Sequence, residues 1–168
     1  RPLVYISMGT VINDRPDFYA KCIDALKDEK VDVIISCGNA LDISVLRELP
    51  ENIKVYPYVD QLDVLSRADA FITHCGMNSV NEALYYEVPL ILFPQTSEQG
   101  GVARQVSNME AGIYLLKNNP ISIQNAVTTV FNDDKYKKNA SIIAESFKKS
   151  GGPAAAANAI IKVIQNKK

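Results

Sequence analysis

Six short apolar runs alternate with segments of helical period, and that alternation restricts the chain more than any other feature. The runs are Leu3–Met8, Val31–Cys37, Ile53–Val59, Ala70–Thr73, Leu90–Phe93 and Gly112–Leu116. Strands that read as continuous apolar runs are covered on both faces, and a helix between successive strands requires parallel pairing. Between them, Pro16 starts a helix with Phe18, Cys22, Ala25 and Leu26 on one face. Shorter helices are predicted over Ile43–Leu49 and Gln61–Arg67, and a longer one over Glu98–Met109. After the sixth run the pattern is wholly helical. Ser122 can cap a helix through Phe131, and a second helix carries Tyr136, Ala140, Ile143 and Phe147. Gly151-Gly152 ends that helix, and Pro153 suits the first turn of a last one bearing Ile160, Ile161 and Ile164. The expected fold is α/β: a single domain over residues 1–168, with a Rossmann-like, doubly wound, six-stranded parallel sheet and extra C-terminal helices.

Several classes of function are excluded or disfavoured. A net charge of −1 with no basic block offers no nucleic-acid surface. No apolar run approaches a membrane span, and no signal peptide is present. Cys22, Cys37 and Cys75 are odd in number and lack a C-x-x-C pair, which favours a reduced, cytoplasmic compartment. The one histidine, His74, rules out a zinc site built on paired histidines. Neither G-x-x-x-x-G-K-[ST] nor G-x-G-x-x-G occurs. The chain opens Arg1-Pro2 and runs directly into a strand without an initiator Met, so it reads as a fragment cut just before a core strand.

The stretch from Thr73 to Gln99 concentrates the candidate chemistry. A strand ends at Thr73-His74, a turn with Gly76 follows, and a helix after Asn78-Ser79 leads to the next strand. A helix N-terminus at a strand's carboxyl end gathers unpaired N–H groups, and His74, Asn78 and Ser79 add side-chain donors, so the first reading is phosphate binding. Each residue also has a purely structural reading. Ser79 and Glu82 form S-x-x-E, a capping box; His74 could be a satisfied structural histidine; Gly76 could serve only the turn. The fold would bring Ser7, Gly9-Thr10, Ser36-Cys37-Gly38, Tyr58 to Gln61 and His74 to one rim.

His74-Cys75-Gly76-x-Asn78-Ser79-x-x-Glu82, then Pro94, then Glu98-Gln99, resembles the nucleotide-sugar signature of the family 1 UDP-glycosyltransferases. The bacterial macrolide and natural-product enzymes are the nearest in pattern. The resemblance implies the C-terminal, donor-binding half of a two-domain GT-B enzyme, with an N-terminal acceptor domain outside this chain. Carried over by position, it puts His74, Asn78 and Ser79, with Gly76 in the turn, on the diphosphate and Glu82 on the ribose. It puts Glu98 and Gln99 on the sugar, Thr10 by the phosphates and sugar, and Ser36 near the base. Tyr58-Val59-Asp60-Gln61 resembles the family's aromatic-x-Pro-Gln stretch, in which the ring stacks on uracil. Tyr58 could instead be a buried strand aromatic, and Glu98-Gln99 a helix start favoured by the macrodipole. Four departures stand out: Tyr58 replaces the Trp of plant members, Asp60 replaces the Pro, Met77 stands where plant members have Trp, and Glu98 where Asp is usual.

The implied activity is inverting transfer from a UDP-sugar to the hydroxyl of a small-molecule acceptor. The catalytic base would lie in the N-terminal half, and neither a cofactor nor a metal would be needed. On this reading the chain alone is inactive. Two alternatives stay open: the donor subunit of a two-polypeptide N-acetylglucosaminyltransferase, and a non-catalytic nucleotide-binding module.

Overall fold

The computed structural model describes residues 1–39, 41–46 and 49–165. Strands β1 (Leu3–Ser7), β2 (Asp32–Ser36), β3 (Ile53–Tyr56), β4 (Ala70–Thr73), β5 (Leu90–Leu92) and β6 (Gly112–Tyr114) form one sheet. Every pairing is parallel, and the order is β3-β2-β1-β4-β5-β6. The chain builds outward from β1, returns to β1's other side at β4, and builds outward again. Direction reverses between β1 and β4, where Ser7 pairs with Thr73. Connections leave to opposite faces at such a switch point, which opens a crevice at the carboxyl ends of the two strands.

Seven α-helices are described: α1 (Pro16–Leu26), α2 (Gln61–Leu65), α3 (Met77–Tyr85), α4 (Ser97–Asn108), α5 (Pro120–Asn132), α6 (Lys135–Lys149) and α7 (Gly152–Gln165). The period-2 alternation of β1 divides the core into two layers. Val4 and Ile6 pack with Phe18, Cys22 and Leu26 of α1 and with Ile123 and Val127 of α5. Tyr5 faces the other side, among Leu65 of α2, Val80 and Leu84 of α3, Val106 of α4 and Ala140 of α6. Each fully buried Val, Leu, Ile or Phe side chain contributes about 1.5–3 kcal/mol, so the two layers hold the strand ends in fixed relation.

The structure shifts several expected boundaries, each for a local reason. β3 stops at Tyr56 because Pro57 has no N–H for the ladder. The helix expected over Ile43–Leu49 is a 3₁₀ turn at Ile43–Val45, with Asp42 accepting from the Ser44 N–H at 2.9 Å. Residues 47 and 48 of that expectation lie outside the described residues. Helix α5 is capped by Asn119, not Ser122: the Asn119 Oδ1 accepts from the Ser122 N–H at 2.9 Å. Helix α7 buries none of its residues. Among the described residues, no helix is long and apolar enough to cross a membrane. All three cysteines are buried and free.

Candidate functional site

A cavity of about 800 Å³ opens over the switch point, at the carboxyl ends of the strands. Residues at or beyond the carboxyl ends of five strands line it. Thr10 comes from the loop after β1, Ser36 from the end of β2, Tyr58, Val59 and Gln61 from beyond β3, and His74, Gly76, Asn78 and Ser79 from beyond β4. Glu98 completes the lining from the start of α4 and, among the described residues, is the only fully charged one in it. Among the described residues the lining holds no Lys or Arg, so the donors it offers an anion there are neutral N–H and O–H groups.

Those donors are supplied at the start of α3. The N-cap is Gly76, with no side-chain cap, and the first rung of the helical ladder runs from the Val80 N–H to the Gly76 carbonyl at 3.0 Å. The N–H groups of Met77, Asn78 and Ser79 therefore have no carbonyl to meet within the helix. Glu82 lies mid-helix, too far along to reach back to the N-cap, so the Ser79–Glu82 capping box does not form. What precedes α3 is a tight turn: Cys75 sits at φ 68°, its N–H on the Thr73 Oγ1 at 3.2 Å. A positive φ at a buried non-glycine residue is a cost that the surrounding packing must impose.

This turn presses the His74 imidazole between two glycines. A Cβ at Gly9 would stand 2.5 Å from the ring's Cε1, and one at Gly76 would stand 2.5 Å from Nε2. Gly9 also has φ +79°, so it is needed twice over, for space and for conformation. The His74 Nδ1 is buried with no partner at full hydrogen-bonding geometry, and the Ser7 backbone is the polar group beside the ring. Burial holds the His74 pKa below its ordinary value of 6.5, the Ser7 backbone opposing that shift. His74 is thus a neutral imidazole at pH 7.

Glu82 does not line the cavity directly. Its carboxylate Oε2 accepts from the Gln61 Nε2 at 2.6 Å, and Gln61 does line it. The same Nε2 lies 3.3 Å from the Ser79 Oγ. Tyr58 is 78% exposed and follows the end of β3, so it is not a buried strand aromatic. Asp60, in place of the family's Pro, caps α2 by accepting from the Leu62 and Asp63 N–H groups at 3.0 and 3.1 Å. That bond holds the Tyr58-to-Gln61 segment at the cavity edge.

Glu98 and Gln99 separate. Glu98 borders the cavity, whereas Gln99 does not. Thr96 caps α4 by accepting from the Gln99 N–H at 3.3 Å, and the Gln99 Oε1 accepts from the Gln95 N–H at 2.8 Å. Arg15 donates to the Gln95 side chain, which ties this loop to the one after β1.

The cavity also involves residues that the sequence did not single out: Tyr5, Asn13, Asn39 and Pro57. Asn13 is buried, its Nδ2 donating to the Gly9 carbonyl at 3.0 Å, and a Cβ at Gly38 would stand 2.1 Å from that nitrogen. Its only sequence signal is a polar residue in a loop. Tyr5 carried a better one, a hydroxyl inside an otherwise apolar core run.

The fold and cavity define a doubly wound α/β domain with its site at the switch point, and comparison with known proteins specifies which. Residues 1–150 match the family of UDP-glucoronosyl and UDP-glucosyl transferases. The chain is 38% identical over 168 residues to the uncharacterized UDP-glucosyltransferase YojK of Bacillus subtilis, covering 98% of this chain and 41% of that protein. It is 40% identical over 159 residues to the NDP-glycosyltransferase YjiC of Bacillus subtilis, covering 94% of this chain and 41% of that protein. The crystal structure of CalG4, the calicheamicin glycosyltransferase, matches with a TM-score of 0.90 at 29% identity, covering 98% of this chain and 44% of that one. The chain belongs to the UDP-glycosyltransferase family. It spans about two-fifths of the length of these relatives.

Proposed function

We propose that this domain binds the UDP-sugar donor of an inverting glycosyltransferase acting on a hydroxylated small molecule. The carrying observation is the meeting of unpaired α3 N–H groups, neutral His74 and the Asn78 and Ser79 side chains at one cavity. In this reading the diphosphate rests on the α3 N-terminus. As the glycosidic bond to the departing diphosphate breaks, negative charge grows there and is met by donors already in place, a preorganised electrostatic contribution to the barrier. Tyr58 stacks on the base, with Ser36 and Val59 beside it; Glu82, reached behind the lining residue Gln61, takes the ribose hydroxyls; Glu98 and Thr10 face the sugar, with Gln99 next to Glu98 at the start of α4. His74 has no free role as the acceptor's base, because it sits wedged beside the phosphates. That base, and the acceptor site, belong to a further domain or chain.

In this reading the α3 N–H groups and the His74, Asn78 and Ser79 side chains take the diphosphate's charge, so binding is expected to be independent of metal. Titrating the 168-residue chain with UDP and a panel of nucleotide sugars, with and without a chelator, tests this reading. Expected are UDP binding insensitive to chelation and no glycosyl transfer to phenolic acceptors by the chain alone. Measurable transfer by the purified chain would overturn the division of labour, and absence of UDP binding would overturn the reading itself.

A further inference from the structure

Tyr5 is almost wholly buried in β1, yet its hydroxyl reaches the cavity. Its ring is fixed by stacking on Phe71 of β4, with centroids 4.7 Å apart and planes 16° from parallel. The phenol donates to the Gln61 Oε1 at 3.3 Å. Gln61 in turn donates from Nε2 to the Glu82 Oε2 at 2.6 Å. The chemistry of each group sets the direction of this chain. A carboxylate only accepts, so the Gln61 amide must turn its NH₂ to Glu82 and its oxygen the other way. That oxygen then needs a donor, and the phenol provides one. Burial raises the Tyr5 pKa above its ordinary value of 10.0, against the Ser7 and Ser36 hydroxyls beside it, so the donor keeps its proton at any working pH.

Gln61 and Glu82 are flexible side chains on two different helices, whereas Tyr5 is held in the sheet by its neighbours on both sides. The relay therefore transmits a fixed position from the core to a carboxylate. It holds one carboxylate oxygen, Oε2, on the Gln61 amide.

We infer that Tyr5 is a positioning residue: acting through Gln61, it orients the Glu82 carboxylate so that the site distinguishes a ribose nucleotide from a 2′-deoxyribose nucleotide. The inference rests on the proposed reading of Glu82 as the ribose contact.

The test measures UDP and 2′-deoxy-UDP affinities for wild type, Tyr5→Phe, Gln61→Met and the double variant, with thermal melts alongside. Wild type is expected to prefer UDP. Tyr5→Phe should keep its ring stack and cut UDP affinity by about 3- to 10-fold, the range of one net hydrogen bond, with little effect on 2′-deoxy-UDP. Gln61→Met should shrink the same ratio while leaving Tyr5 and its packing intact, so it carries the test if Tyr5→Phe folds poorly. Adding Tyr5→Phe to Gln61→Met should change the ratio no further, because the relay is already cut. A purely structural Tyr5 would lower both affinities together and would act additively with Gln61→Met. An unchanged ratio in Gln61→Met, or additivity in the double variant, overturns the inference while UDP binding by wild type still stands. Wild type that binds UDP without preferring it over 2′-deoxy-UDP also overturns it. Wild type that binds neither nucleotide overturns the proposed function as well.

Discussion

Helices α3 and α4 begin at neighbouring strand ends, after β4 and β5, yet their first turns are built in opposite ways. Helix α4 is closed by its own side chains: Thr96 accepts from the Gln99 N–H, and the Gln99 Oε1 accepts from the Gln95 N–H. Helix α3 starts at a glycine with no side-chain cap, and its first N–H groups face the cavity. A self-capped terminus has spent its donors on the fold. An uncapped one forgoes about 0.5–2 kcal/mol of capping stability and keeps those donors for something else. The glycine at the α3 cap is also a spatial necessity, because a Cβ there would meet the His74 ring. The contrast supports the proposed anion site at α3, while α4 presents one acidic side chain, Glu98, beside it.

The largest effect should come from placing a charge at the open terminus. Asn78 is exposed in the first turn of α3. Asn78→Asp favours the helix through its macrodipole by about 0.3–1 kcal/mol. The same carboxylate would face a diphosphate, at a cost on the order of 4 kcal/mol for like charges about 4 Å apart at an effective dielectric near 20. Melting temperature should rise slightly while UDP affinity collapses, and Asn78→Ala should weaken UDP far less. Calorimetric titration and melts on the same samples read both signs. If Asn78→Asp binds UDP as wild type does, α3 is no more an anion site than α4.

Glu82→Ala comes next. With the capping box absent, its loss removes no helix cap, and stability should change little. UDP affinity should fall by roughly 1.5–3 kcal/mol, the scale of a hydrogen bond to a charged group. Equal binding by the variant and wild type would leave Glu82 as a partner of Gln61 only.

His74 gives a smaller effect that depends on pH. Its folded pKa lies below the ordinary 6.5. Between the two values the unfolded chain binds more protons than the folded one, so stability is full above pH 6.5 and declines as pH falls toward the folded value. His74→Asn should flatten that decline. A bound diphosphate favours the imidazolium, so UDP should also reduce it. Melts between pH 8 and pH 5 are the measurement, and equal slopes in wild type and variant would remove His74 from the account.

The sheet was legible because its signal is local and repeated: six buried runs separated by helices permit few other arrangements. The signature around His74 was legible because a helix start after a strand needs its residues at fixed spacing. Less legible was anything depending on which helix start caps itself. S-x-x-E at Ser79 and Glu82 matched a capping pattern that the glycine two residues after His74 pre-empts by starting the helix earlier. T-x-x-Q at Thr96 and Gln99 does form a cap, in a segment whose helix-start reading rested on the macrodipole and not on a side-chain cap. Asn13 beneath Gly38, and Tyr5 behind Gln61, are joined by the fold across unrelated spacings, and no sequence period announces such contacts.

The smallest predicted effect separates the two uses of Gln99. Its Oε1 is held by the Gln95 N–H, which fixes the amide and leaves only its NH₂ for a ligand. Gln99→Ala removes both the acceptor and the donor. Gln99→Glu keeps an acceptor for the Gln95 N–H and removes the donor, in a first turn where an acid is welcome. Stability should therefore fall by about 0.5–2 kcal/mol in the alanine variant and hold in the glutamate variant. UDP affinity should stay within about 0.5 kcal/mol in both, because the nucleotide contacts lie elsewhere. Intact UDP-sugar should weaken by about 0.5–1.5 kcal/mol in both, the net scale of one hydrogen bond. The glutamate variant decides the matter, because its cap survives. If it binds UDP-sugar as tightly as wild type while the alanine variant melts early, Gln99 serves α4 alone, and sugar recognition at this edge of the cavity falls to Glu98.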